Sequence, residues 1–204
     1  MTLIIAIHNG SDIVTGADSL AIHTDLTGAS SRQSDFQKIY PVGDKAVLLI
    51  AGILNTGRGV VFMNSFSDHC QDNRLFFPDL ITDSFFSDGP ANLRLSHDEV
   101  IEILIAGFDK YGSPSLQKVD RRCGDSGRGV TNKYKPISTY YELGGNKEPM
   151  DYAEKLIKDA GVCVADMSTK ELSVFTEEIL EECIREFPDK LGGKPNVQVL
   201  LSVT

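Results

Sequence analysis

The sequence predicts an α+β fold, with two mainly antiparallel sheets face to face and helices on both outer sides. Three observations lead there. Several segments of branched residues carry apolar side chains on both alternating faces, so they belong inside a layered structure. Short turn signals join such segments in pairs, at Asn9-Gly10, Gly43-Asp44 and Asp109 to Gly112. Blocks of helical periodicity fall between the hairpins. With 204 residues and neither an internal repeat nor a linker, a single domain over residues 1–204 is expected.

The first strand runs from Met1 to His8. Leu3, Ile5 and Ile7 share one face, and Ile4 and Ala6 share the other. Such a strand buries the start of the chain, where termini are usually loose. A two-residue turn at Asn9-Gly10 sets Thr2 opposite Ala17, with Asp18 next along. Residues 19–37 are polar and read as a long loop or a loop crossing an edge strand. A second hairpin, Phe36 to Val42 with Lys45 to Ala51, sets Lys38 opposite Leu49 and leaves Gly52 just beyond. A lysine directed into an apolar hairpin needs a partner, unless it lies on the open face with only its stem covered.

Helices are expected from about 55 to 70 and from Pro78 to Phe86. Strands follow at Glu99 to Phe108 and Ser115 to Asp120, and residues 121–135 read as a basic, glycine-rich surface loop. A strand from Thr139 to Leu143 ends at Gly144-Gly145. A helix from Pro149 to Ala160 is bounded by Gly161. A hairpin of Val162 to Ala165 with Glu171 to Phe175 is predicted around Asp166 to Thr169. Then come a helix from Glu177 to Phe187 and a last strand from Asn196 to Val203.

Composition excludes several classes. No apolar run approaches a membrane span, and the opening lacks the basic start of a signal peptide, so a cytoplasmic protein is expected. A net charge of −9 and the lack of a basic stripe with aromatics argue against nucleic acid. Cys70, Cys123, Cys163 and Cys183 are widely spaced and favour free thiols over disulfides or zinc. The four histidines are equally scattered. No metal and no cofactor is expected.

Several fragments, in order, resemble the proteasome β subunits of the N-terminal-nucleophile hydrolase superfamily. They are Thr2 to Ile7 with Ile13 to Ser19, Gln37 to Tyr40, Leu49 to Gly52, and Leu104 to Asp109 with Leu116 to Asp120. The resemblance covers nearly the whole chain. It implies a four-layer αββα sandwich and a threonine-type peptidase or amidase. By position Thr2 matches the nucleophile, Asp18 and Lys38 the ion pair beside it, and Gly52 the oxyanion N–H donor. Asp166 and Thr169 match the outer acid and hydroxyl that hold the N-terminus. There are two departures. Gly145 stands where the family has a serine, and Lys170-Glu171 stands where a Gly-Gly pair follows the outer hydroxyl. The implied partners are a peptide or protein substrate and further copies of the chain, in a ring or related assembly, with no nucleic acid and no membrane. A catalytically inactive structural subunit of such an assembly is the alternative, and an amidase acting on small molecules is a third.

The chemistry suits these groups. A threonine hydroxyl needs a base, and a free α-amine with a pKa of ~7.7–8.0 can be that base. Lys38 would favour the deprotonated hydroxyl and amine, and Asp18 would neutralise and orient Lys38. The amine exists only once Met1 is removed. Tyr40, Ile50 and Leu54 would suit apolar substrate side chains.

Overall fold

The computed structural model describes residues 2–24, 29–42, 46–53, 100–109, 111–123, 130–137 and 140–202. In chain order its strands are β1 (Leu3–His8), β2 (Ile13–Ala17), β3 (Ala21–Thr24), β4 (Ser30–Gln33), β5 (Ile39–Val42), β6 (Ala46–Ile53), β7 (Val100–Phe108), β8 (Pro114–Cys123), β9 (Val130–Ile137), β10 (Tyr141–Gly145) and β11 (Asn196–Leu200). Two helices are described, α1 (Lys147–Asp159) and α2 (Thr169–Glu186). The fold is therefore mixed α and β, and among the described residues every strand pairing is antiparallel. The helices expected at 55–70 and 78–86 lie outside the described residues.

One sheet has the order β10-β1-β2-β11, a second the order β5-β6-β7-β8-β9, and β3 and β4 form a separate pair. β1 is central because both of its faces are apolar. Leu3, Ile5 and Ile7 pack with Leu172, Ile179, Leu180 and Cys183 of α2 and with Ala153 and Ile157 of α1. Ile4 and Ala6 face the other sheet, against Ile39, Leu49, Leu104, Ala106 and Leu116. The faces are those expected from the alternation. Each fully buried Leu or Ile contributes roughly 1.5–3 kcal/mol, so this strand ties helices, first sheet and second sheet into one core.

Two registers differ from the sequence reading. Ile4, not Thr2, lies opposite Ala17. The cause is the turn: Asn9 Oδ1 accepts from the N–H groups of Ser11 (3.0 Å) and Asp12 (2.8 Å), which stretches the loop to four residues, 9–12. The change is even, so the buried and exposed faces are preserved. In the second hairpin Ile39, not Lys38, lies opposite Leu49, because three residues, 43–45, connect Val42 to Ala46. Ile50 donates its N–H to the Lys38 carbonyl (3.0 Å).

The hairpin predicted around Asp166 to Thr169 is not formed. Residues Val164–Asp166 make a short 3-10 turn, and α2 begins at Thr169, eight residues before the expected helix. Ser168 and Glu171 form a reciprocal capping box. Leu172, Thr176, Ile179, Leu180 and Cys183 then line one buried helical face. That signature outweighs the strand preference of Val174 and Phe175. The polar stretch 19–37 contains β3 and β4, and much of the predicted loop 121–135 is strand, in β8 and β9. Among the described residues no helix is long and apolar enough to cross a membrane.

Candidate active site

One end of each sheet meets the other. At this end the first sheet presents the start of β1 with Thr2, the end of β2 with Asp18, and the end of β10 with Gly145. The second presents Lys38 just before β5, Gly52 near the end of β6, and Glu102 near the start of β7. The antiparallel order puts all six there, because each strand pair alternates entry and exit at that rim.

Asp18 is the hub. Its Oδ1 accepts from the Lys38 ammonium (2.8 Å) and from the Leu3 N–H (2.9 Å), and its Oδ2 accepts from the Leu20 N–H (3.2 Å). Asp18 also donates its own N–H to the Leu3 carbonyl (3.2 Å). The pair is fully interior, with Lys38 3% and Asp18 0% exposed. Burial pushes the Lys38 pKa below its ordinary 10.5, and the carboxylate, by charge and hydrogen bond, pushes it partly back. Three donors on one carboxylate compensate its desolvation. Thr2 is buried beside this pair, one residue from the amide that Asp18 holds. Of the three residues named from the sequence, the structure pairs Lys38 with Asp18 and places Thr2 one residue from the amide that Asp18 holds.

Gly52 lies at the same rim, exposed, with φ +141°. A side chain is strained at that angle, and glycine leaves the backbone open to a ligand. Tyr40 and Ile50 are buried, and Leu54 lies outside the described residues.

Asp166 and Thr169 do not join this group, which corrects the roles assigned to them. Thr169 donates its hydroxyl to Asp12 Oδ2, and the Met167 carbonyl accepts from Asn9 Nδ2 (3.0 Å). Both contacts are with the turn at the far end of β1, ~20 Å from Thr2 at strand rise. The segment that does pack at the Thr2 end is 189–194. The Gly192 carbonyl accepts from the Ser19 N–H (3.1 Å), and the Ser19 hydroxyl lies within 2.7 Å of the Ser34 carbonyl and 2.9 Å of that of Lys194. The chain's Gly192-Gly193 pair is thus at this rim, whereas Thr169, which precedes Lys170-Glu171, is held at the far end of β1.

Gly145 has φ +115°, and a Cβ there would overlap the Thr2 carbonyl oxygen. Glycine at 145 is therefore a backbone requirement of this chain. Gly145→Ser is expected to destabilise the fold by about 3 kcal/mol or more, from the φ strain and the overlap together. Denaturant unfolding checks this, and a change under 1 kcal/mol (about a fivefold change in the folding constant) would show that the backbone yields.

Sequence reasoning missed Glu102 and Lys118. Glu102 Oε2 accepts from the Gly145 N–H (2.7 Å) and lies 3.5 Å from the Lys118 ammonium. The available signal was a lone acid in an otherwise apolar strand, between Ile101 and Ile103. The Cys183 thiol is buried and pushed up to about 12, which removes it as a nucleophile. Among the described residues no group of three or more His, Cys, Asp or Glu side chains could hold a metal ion. The sequence matches no protein-family model and no curated protein.

Proposed function

We propose that the chain is a threonine-type amide hydrolase of peptide substrates, similar to proteasome β subunits, with Thr2 as nucleophile once Met1 is removed. The observation that supports this most is the buried Asp18 carboxylate shared between Lys38 and the Leu3 N–H. A fold gains little from a buried ion pair as such. Next to an N-terminal hydroxyl, the same pair has a chemical use.

In this reading the Thr2 hydroxyl oxygen attacks the substrate carbonyl carbon and its proton passes to the α-amine. The tetrahedral oxyanion takes a hydrogen bond from the Gly52 N–H, worth about 3–4 kcal/mol. The C–N bond breaks, the leaving amine takes the proton, and water hydrolyses the Thr2 ester. Lys38 holds positive charge beside the forming alkoxide, and Asp18 fixes its ammonium.

The four-layer αββα arrangement belongs to the same proposal. Leu48, Ile103 and Ile105 lie on the face of the second sheet turned away from the first, and all are buried. That face is covered, and the helices expected at 55–70 and 78–86 would cover it. A homo-oligomer, in the cytoplasm, completes the reading; light scattering reporting a monomer at working concentration would remove that part alone.

A non-catalytic subunit of an assembly is the second reading. It is favoured by Gly145, whose backbone has no room for a hydroxyl. Hydrolysis of fluorogenic peptide amides separates the two. Protein with Met1 removed should turn over, and the same chain with Met1 retained should not. Equal inactivity of both forms over a broad peptide set supports the structural subunit.

The lowered Lys38 pKa gives a pH dependence. The α-amine must be neutral, so kcat/KM rises through ~7.7–8.0. It falls again when Lys38 loses its proton, at a pH below 10.5. By linkage the unfolded chain binds more protons between those two Lys38 values, so this group makes stability rise with pH across that window. A profile of kcat/KM checks the activity part; a plateau persisting through pH 10.5 contradicts it.

A further inference from the structure

Between the sheets, beside the Thr2 end, lie three charged side chains that the proposed chemistry does not use. They are Glu102 on β7, Lys118 on β8 and Glu142 on β10, each about one-seventh exposed. Lys118 Nζ lies 3.5 Å from Glu102 and 3.8 Å from Glu142. The first two grip β10 from the opposite sheet at two points. Lys118 donates to the Leu143 carbonyl (3.1 Å), and Glu102 accepts from the Gly145 N–H (2.7 Å). The residue between is Gly144, where a Cβ would come within 2.9 Å of Ile4 and 3.3 Å of Glu102 Oε2. Glycine there lets the carboxylate reach the backbone.

The gripped segment is the one that holds Thr2. The Asn146 N–H donates to the Thr2 carbonyl (2.9 Å), and Gly145 packs directly over that oxygen. Among the described residues β10 is an edge strand, paired in its sheet with β1 alone. Without a brace its last residues could fray, and the Thr2 carbonyl would lose its donor. We propose that Glu102, held by Lys118, is a positioning residue for the Thr2 nucleophile, fixing the 143–146 backbone against the start of β1. The proposal rests on the reading of Thr2 as nucleophile. One Glu102 oxygen faces both Lys118 and the Gly145 N–H, so the amide oxygen of a glutamine can replace it, whereas alanine cannot.

The test uses the chain with Met1 removed and a peptidyl β-lactone that acylates Thr2, followed by intact mass. The maximal acylation rate and the concentration for half-maximal rate are measured separately for wild type, Glu102→Ala and Glu102→Gln. Glu102→Ala should lower the maximal rate by about 10–100-fold, as expected for a misplaced nucleophile, while the half-saturating concentration changes by under about threefold. Glu102→Gln should recover to within about threefold of wild type. Should Glu102→Ala fail to fold, the Glu102→Gln rate and amide exchange at Gly145 and Asn146 decide. Near wild-type rate and protection support the brace, and exchange as fast as in an exposed loop overturns it. Wild-type acylation with an unchanged Glu102→Ala rate, or a loss that Glu102→Gln does not recover, overturns the positioning role alone. No acylation of wild type overturns it together with the nucleophile reading.

Discussion

Thr2→Ala is expected to lower kcat by a factor on the order of 10⁵–10⁶ in the chain with Met1 removed, the effect of deleting a covalent nucleophile. Alanine is small enough to leave leader removal and β1 packing intact, so stability should change by no more than about 1 kcal/mol. Thr2→Ser keeps a hydroxyl on the same backbone and should retain measurable turnover. Peptide hydrolysis by the three proteins, each with its N-terminus verified by mass, reads this directly. Full activity in Thr2→Ala would remove Thr2 from the chemistry.

Lys38→Met carries the second large effect, on both stability and rate. It leaves Asp18, which has no solvent contact, without its cation. Breaking a buried pair from one side costs about 3–5 kcal/mol. The N–H groups of Leu3 and Leu20 remain on the carboxylate and place the cost toward the lower figure. Adding Asp18→Asn removes the charge but keeps an acceptor for the Leu3 N–H. The double variant should regain most of the lost stability and none of the activity. Urea unfolding and peptide hydrolysis on the same samples separate the two roles. Recovery of activity in the double variant would show that the pair serves the fold and not the chemistry.

How much of this was written in the sequence differs from residue to residue. The two apolar faces of β1 were legible because period-2 alternation is local. Lys38 was legible as a lysine in need of a partner because it interrupts an apolar strand context, whereas its pairing with Asp18 was implied only by the resemblance to proteasome β subunits. Their registers were not legible, since loop lengths of four and three residues depend on side-chain hydrogen bonds such as those of Asn9. The roles of Asp166 and Thr169 came only from matching by position to the resembled family, and the hairpin around them was predicted because Leu172, Val174 and Phe175 also suit a strand. The Ser168 to Glu171 box decides for helix, and was readable in principle. Glu102 reaches Gly145 across 43 positions and between sheets, a contact that no local pattern encodes.

The proposed hydrolysis requires that the hydroxyl of Thr2 be activated beside the Lys38–Asp18 pair. The most direct measurement is peptide mapping of the chain with Met1 removed, after reaction with a peptidyl β-lactone. A single acyl adduct on Thr2, absent when Met1 is retained, is the expected result. An adduct on another residue, such as the exposed Cys163, with Thr2 unmodified would contradict it.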